Sequence, residues 1–235
     1  MWRWWVIGGV GVSAVGAWGS WQAARSRTWQ AFGELVPRVE TAQRRVALTF
    51  DDGPDGEHVQ ELLGALDAAG AKATFFVIGA DAERHPDAVR ALVAAGHEVA
   101  NHSWSHERMV FVSPSWIRRE LDDTDRVVVD AGAPRPRWFR PPYCKKGLAL
   151  PWILSQTGRT TVTWDVEPES DPALADSPDA LVAAVRAQVR PGSIVLLHPW
   201  YGSRGATREA LPALLAGLRE DGWALVTVSE LVDGG

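Results

Sequence analysis

From residue 45 onward, short apolar runs alternate with longer stretches in which apolar side chains return every three or four positions. The short runs fall at 46–50, 73–78, 97–100, 138–139, 160–164, 194–197 and 224–228, and they read as buried strands. Between them, the helical period predicts helices over 57–69, 86–95, 114–131, 178–189 and 207–220. In the first helix Leu62, Leu63 and Leu66 share one side, and Gly70 closes it. In the second, Val89, Leu92 and Val93 face inward and Gly96 ends the run. Ser113 with Pro114, and Ser177 with Pro178, supply an N-cap and a first-turn proline for the third and fourth. Strands that alternate with helices imply a parallel sheet. Seven such units in about 190 residues suit a closed or nearly closed β/α barrel better than an open doubly wound sheet.

The amino-terminal segment follows a different pattern. Residues 4–21 carry no charged side chain, and Trp2, Trp4 and Trp5 stand at one end with Trp18 and Trp21 at the other. As a helix this run spans roughly 27 Å, against about 30 Å of bilayer hydrocarbon, with aromatic residues at both interfaces. Five glycines between Gly8 and Gly19 disfavour a helix in water, whereas glycine is common in membrane helices. The expectation is an uncleaved membrane anchor, with a cleaved signal peptide as the alternative, over residues 1–24. Arg3 before the run and Arg25 and Arg27 after it leave the orientation nearly balanced, slightly against an external carboxyl-terminal domain. Residues 25–44 read as a polar linker and residues 45–235 as the folded domain.

Composition adds exclusions. A net charge of -5 argues against broad nucleic-acid binding through a basic surface. The single cysteine, Cys144, excludes an intrachain disulfide and a multi-cysteine zinc site. No GxGxxG or P-loop pattern is present, so nucleotide binding has no support.

The polar residues that carry chemistry stand directly after the expected strands. Asp51 and Asp52 end the run 46–50, and Gly53-Pro54 stops it. Taken alone, Asp-Asp-Gly-Pro is turn chemistry. Neighbours on a strand point to opposite faces, so the two carboxylates are free to take different tasks. After the third strand come His102 and His106, four apart, a spacing that on a helical turn lets both imidazoles reach one metal. Two histidines and one carboxylate form a common catalytic zinc set with a position left for water. Arg140 and Tyr143 follow the fourth strand, and His198 follows the sixth. Each has an ordinary surface or packing role open to it. In a β/α barrel, however, all the carboxyl ends of the strands share one rim.

The ordered segments Thr49-Phe50-Asp51-Asp52-Gly53-Pro54, His102-Ser103 to His106, Arg140-Pro141-Pro142-Tyr143 and Leu196-Leu197-His198 resemble the motifs of the polysaccharide deacetylase family. This is the NodB-homology domain of carbohydrate esterase family 4. The resemblance extends through Ala73 to Gly79, Gly96 to His102 and the ending from Ala210 to Leu231, and covers roughly 45–231. It implies a distorted (β/α)7 barrel and hydrolysis of N-acetyl, sometimes O-acetyl, groups on sugars. By resemblance, Asp52, His102 and His106 hold a divalent metal, with zinc expected and cobalt or nickel as alternatives. Asp51 is then the general base, paired with Arg140. A backbone N–H near Tyr143 stabilises the oxyanion, and His198 is the general acid. The implied partner is an N-acetylglucosamine-containing glycan, peptidoglycan or a chitin-like oligosaccharide.

One motif departs from the family. An Asp-x-x-Asp-Trp pattern is expected after the fifth strand, but the chain reads Trp164-Asp165-Val166-Glu167-Pro168-Glu169-Ser170-Asp171-Pro172. The acid that supports the catalytic histidine is expected to be Asp171, because it precedes Pro172 where the family has Asp-Trp; Glu167 and Asp165 are the alternatives. Cys144 stands where glycine is common and reads as a packed small side chain. His58, His85 and His97 receive no metal role. The altered motif keeps two other readings open: a silent carbohydrate-binding protein of the same fold, and a hydrolase of a non-sugar amide.

Overall fold

The computed structural model of the chain describes residue 19 and residues 21–234. The membrane segment expected over 4–21 thus falls almost wholly outside the described residues. Among those that are described, no helix is long and apolar enough to cross a membrane.

The described elements run β1 (Leu35–Val36), β2 (Arg45–Asp51), α1 (Val59–Ala68), β3 (Thr74–Val77), α2 (Gly79–Arg84), α3 (Pro86–Ala94), β4 (Glu98–Asn101), α4 (Pro114–Asp130), β5 (Trp138–Phe139), α5 (Ala149–Gln156), β6 (Thr160–Val162), α6 (Pro178–Gln188), β7 (Ile194–Leu197), α7 (Gly205–Glu220), β8 (Ala224–Val226) and α8 (Val228–Asp233). Ser113 and Ser177 cap α4 and α6 as expected, their side chains accepting from Trp116 N and Ala180 N.

All strand pairs are parallel, in the order β1-β6-β5-β4-β3-β2-β7. Ala47 pairs with Ile194 of β7 on one edge of β2 and with Val226 of β8 on the other, so β8 shares β3's edge and wedges in beside it. The two ends of the sheet meet through irregular chain. Val166 bridges Val195, Leu196 N donates to Val166 O, and Val39 N donates to Gly192 O. The result is a parallel α/β sheet curled on itself, with its closure made by loops rather than by a regular ladder.

Residues 25–44, expected as a linker, contribute to this structure. They supply β1, and the Arg27 carbonyl accepts from Thr163 Oγ1 at 2.6 Å.

The two-residue period of β2 sorts its side chains. Val46, Leu48 and Phe50 join Leu62 and Leu66 of α1 and Leu211 and Leu214 of α7 in the outer core. Ala47 packs inward with Phe76, Ala100, Trp138, Val162 and Ile194. Thr49 and Asp51 continue that inward row toward the carboxyl rim. Each fully buried Leu or Phe stabilises the fold by about 1.5–3 kcal/mol. A third cluster seats α4 and α5 against Phe139 through Ile117, Leu121, Leu150, Ile153 and Leu154.

Candidate active site

Asp51 is the last residue of β2, and its carboxylate lies inside the curled sheet. Arg140, directly after β5, reaches it from across the interior. Nη1 donates to Asp51 Oδ1 at 2.5 Å and to Thr49 Oγ1 at 2.8 Å, and Nη2 donates to Thr163 O at 3.0 Å. The guanidinium lies 4.1 Å from the centroid of Phe76 and is fully buried. Burial pushes its pKa down, while the Asp51 carboxylate pulls the other way. A buried cation is tolerated only when it is paired and hydrogen-bonded, as here.

Asp52 departs from simple strand alternation. Its φ is 71°, a left-handed turn that brings its carboxylate back to the cleft beside Asp51 instead of to the opposite face. Gly53 follows at φ 54°, and a Cβ there would stand 2.5 Å from the Trp200 ring, so only glycine fits.

The two histidines converge from a loop, not from the helical turn suggested by their spacing. Ser103 and His106 have φ of 69° and 58°. Asn101 Oδ1 accepts from Ser103 N at 2.8 Å, and Ser103 Oγ accepts from His106 N at 3.1 Å. Glu120 of α4 accepts from Trp104 N and Ser105 N at 3.0 and 2.8 Å. His102 Nδ1 donates to Arg140 O at 2.7 Å, which fixes the tautomer and leaves Nε2 as a lone-pair donor.

The donor atoms of Asp52, His102 and His106 all lie within 4.8 Å of one another. Asp52 Oδ1 is 3.5 Å from His102 Nε2 and 3.1 Å from His106 Nε2. Two ligands of a tetrahedral ion, each about 2.0–2.1 Å from it, stand roughly 3.3 Å apart. Asp52 Oδ1 is also buried with no hydrogen-bond partner among the described residues. An orphaned carboxylate oxygen facing two imidazole nitrogens at ligand spacing fits a divalent metal. Burial alone raises the Asp52 pKa, but His102, His106 and His198 outweigh it and hold the carboxyl well below its usual range. Burial pushes the His106 pKa down, favouring the neutral, ligating form.

His198 follows β7. Its Nδ1 lies 2.6 Å from Glu169 Oε2, and its backbone N donates to Glu169 Oε1 at 3.2 Å. Thr207 Oγ1 also donates to Glu169. Burial lowers the His198 pKa, but Glu169, Asp51 and Asp52 overcome it and leave it raised. The carboxylate behind His198 is therefore Glu169, which the sequence reading did not weigh, and the expectation for Asp171 is corrected. Asp171 is exposed, and its Oδ1 accepts from Ala173 N at 2.9 Å, a local turn contact. Asp165 pins the start of β7 by accepting from Ile194 N at 2.9 Å. Glu167 lines the cleft, its pKa raised by burial.

Tyr143 lies in a 3₁₀ turn, Pro142–Cys144, with φ 55° and its ring 4.7 Å from that of His106. Cys144 is buried and its thiol is pushed up by burial, as suits a packed residue. Tyr201 also lines the cleft and was not singled out in the sequence; burial and the Asp52 charge push its phenol up. Outside the site, His58 pairs with Asp55, and buried His97 is pushed down to about 4 by burial. Asp51, Asp52, His102, His106, Tyr143 and His198 together line one cleft of about 570 Å³.

The family described as polysaccharide deacetylase matches residues 38–162. The chain belongs to the polysaccharide deacetylase family. The matched span holds Asp51, Asp52, His102, His106 and Arg140, and His198 lies beyond it. Among similar family proteins, the peptidoglycan-N-acetylmuramic acid deacetylase PdaC of Bacillus subtilis is 32% identical over 199 residues, 83% of this chain and 41% of PdaC. A chitooligosaccharide deacetylase of Sinorhizobium fredii is 39% identical over 166 residues, 69% of this chain and 75% of its own. The chain thus spans well under half of the first relative's length. Among solved structures, BA3943 of Bacillus anthracis, described as a CE4 family pseudoenzyme, matches with a TM-score of 0.77 at 29% identity, over 86% of this chain and 69% of that one.

Proposed function

We propose that this protein is a metal-dependent hydrolase that removes N-acetyl groups from an N-acetylglucosamine-containing glycan, with cell-wall peptidoglycan as the leading substrate. The observation that carries the proposal is the Asp52–His102–His106 donor set, flanked in one cleft by an Arg-paired Asp51 and a Glu-paired His198. A divalent ion held there, zinc by the donor set with cobalt and nickel as alternatives, supplies a Lewis acid that polarises the acetamide carbonyl and acidifies a water.

The chain's own residues account for the proton traffic. Arg140 occupies Oδ1 of Asp51 and fixes the carboxylate in place, while Oδ2 lies 3.6 Å from His102 Nε2, beside the proposed metal position. Asp51 Oδ2 is thus placed to take a proton from the attacking water. A backbone N–H near Tyr143 is assigned to the developing oxyanion. Glu169 holds His198 by Nδ1, so Nε2 is the ring nitrogen left to protonate the departing amine. The products are acetate and a free amino sugar.

The test is acetate release from N-acetylglucosamine oligomers and from peptidoglycan, with and without chelator, followed by restoring zinc, cobalt or nickel. Release that the chelator does not affect refutes metal dependence. No release from either glycan, with metal bound, refutes the deacetylase reading. A silent glycan-binding protein is the second reading, favoured by the similar pseudoenzyme and by the rewritten fourth motif. It requires glycan binding without acetate release.

We also propose that residues 4–21 anchor the protein with the catalytic domain outside the cytoplasm, or direct its secretion. The uncharged, tryptophan-flanked run supports this, as does the wall-bound substrate class. The chain enters the described fold on an apolar face, where Gly19, Ala23, Trp29, Val110, Phe111 and Leu148 line a groove of about 500 Å³. Protease added to intact spheroplasts digests the domain if this topology holds, and full protection reverses it.

A further inference from the structure

The cleft is not electrically uniform. Its acidic groups lie deep, at the proposed metal position and behind His198, while its rim on the Tyr143 side is basic. Arg108, two residues after His106, is exposed and lines the cleft, with its guanidinium 4.9 Å from the centroid of Tyr143. Lys145, just past the Pro142–Cys144 turn, lines the same wall, with Nζ 4.7 Å from the centroid of Trp21. Arg108 and Lys145 thus put two cations on the lining of one cleft, and burial, followed by the charges of Arg25 and Arg108, pushes the Lys145 pKa down.

Some surface cations elsewhere are paired, Arg84 with Asp81, Arg90 with Asp87, Arg137 with Asp233 and Arg186 with Asp221, whereas exposed Arg118 and Arg119 of α4, which line no cleft, have no carboxylate within ion-pair distance among the described residues. Among the described residues, no carboxylate lies within ion-pair distance of Arg25, Arg108 or Lys145. Residues 1–18 and 20 contain no Asp or Glu that could supply one. Like charges gathered at the mouth of a cleft without a partner raise the local concentration of anions and await one from outside the chain. A planar guanidinium beside an ammonium suits a carboxylate, which takes two N–H donors at once.

We propose that Arg108 and Lys145 form a carboxylate subsite that makes the enzyme select acid-bearing glycan, the muramoyl chains of peptidoglycan, over neutral N-acetylglucosamine oligomers. The inference rests on the deacetylase reading and names the substrate class of that same cleft. The carboxylate has two possible sources on such a glycan, the lactyl group of the sugar and the stem peptide attached to it.

The test uses the full chain loaded with metal and three soluble substrates. These are an N-acetylglucosamine tetramer, an alternating tetramer with free lactyl carboxylates, and the same tetramer carrying stem peptides, in which the lactyl group is an amide. Acetate release gives kcat/KM for the parent, Arg108→Gln, Lys145→Gln and the double variant. The parent favours at least one acidic substrate over the neutral tetramer. The double variant reduces that ratio roughly tenfold, through KM, with metal content unchanged. In the parent the ratio also falls as ionic strength rises, as contact between exposed charges requires. A loss confined to the free-lactyl substrate identifies the sugar acid, and a loss confined to the peptide-bearing one identifies the stem. A ratio that neither the variants nor salt changes overturns the proposal. If no substrate releases acetate, the deacetylase reading fails instead. The same ratio, read then as Kd for the three glycans, still decides the subsite.

Discussion

Glu169→Gln isolates the hydrogen-bonded carboxylate that raises the His198 pKa. The substitution is isosteric. An amide oxygen still accepts from His198 Nδ1, so what is lost is the negative charge behind a 2.6 Å contact. Hydrogen bonds to charged groups contribute about 1.5–3 kcal/mol, of which a neutral bond retains about 0.5–1.5. The difference of about 1–2 kcal/mol corresponds to roughly one pKa unit. The sign follows from the role. Burial lowers the His198 pKa, and the Glu169 bond with the Asp51 and Asp52 charges raises it above the ordinary imidazole value. A general acid works only while protonated, so the basic limb of the kcat/KM profile follows the His198 pKa. Removing the Glu169 charge moves the limb downward by about one unit.

The assay is a pH–rate profile for parent and variant at equal metal content. A bound ion's charge lowers the imidazole pKa in both, so the comparison is of the two limbs, not of either limb with free histidine. Asp171→Asn serves as the contrast, because Asp171 is exposed and bonds only its own turn. A basic limb unmoved by Glu169→Gln refutes the assignment of His198 as the acid held by Glu169. A limb that moves with Asp171→Asn restores the expectation that the geometry displaced. Loss of metal in Glu169→Gln shows that this carboxylate acts on the metal position, and the roles then require reassignment.

Asp51→Asn retains metal and loses about 10²–10⁴-fold in acetate release, as removal of a general base does; a fully active variant refutes that role. His102→Ala loses the bound ion, read by elemental analysis after dialysis, and parental stoichiometry eliminates the site. Arg140→Leu leaves the Asp51 carboxylate buried and unpaired and costs about 3–5 kcal/mol in denaturant unfolding; a loss below about 1 kcal/mol shows that the pair contributes little.

Periodicity located the main strands and helices to within about two residues, because each buries an apolar row or stripe of its own. The elements it missed lack that signal. β1 is two residues, and α2 is a six-residue helix with Gly79 and Ala82 as its buried residues. α5 contains Pro151, which argues locally against a helix. α8 was readable: Thr227 and Glu230 form a capping box, and the apolar residue between them, Val228, drew the strand expectation one turn too far. At the site, residue identity was legible wherever a motif fixed it. What joins those residues was not. Arg140 and Asp51 are 89 positions apart, and Glu169 and His198 are 29 apart. Glu169 sits in the segment whose spacing departs from the family motif, and only the fold shows that it is the carboxylate that reaches His198.

Backbone strain marks the same rim independently of any motif. Of the six described non-glycine residues with positive φ, five surround the cleft: Asp52, Ser103, His106, Tyr143 and Cys144. Each such residue costs about 1–3 kcal/mol. Together they claim a share of the order of a domain's net stability, about 5–15 kcal/mol. Glycine at these positions would relieve the strain, but it would remove the groups the strain aims. Asp52 and His106 carry donor atoms of the proposed metal site, and Ser103 Oγ holds the His106 amide in the turn. Arg140 adds a fully buried charge whose only anionic partner among the described residues is the proposed base. A fold that merely displayed a surface for sugars needs none of these costs. They are the costs expected if two donors and a base must meet within a few ångströms of one point, as the proposed metal-dependent chemistry requires.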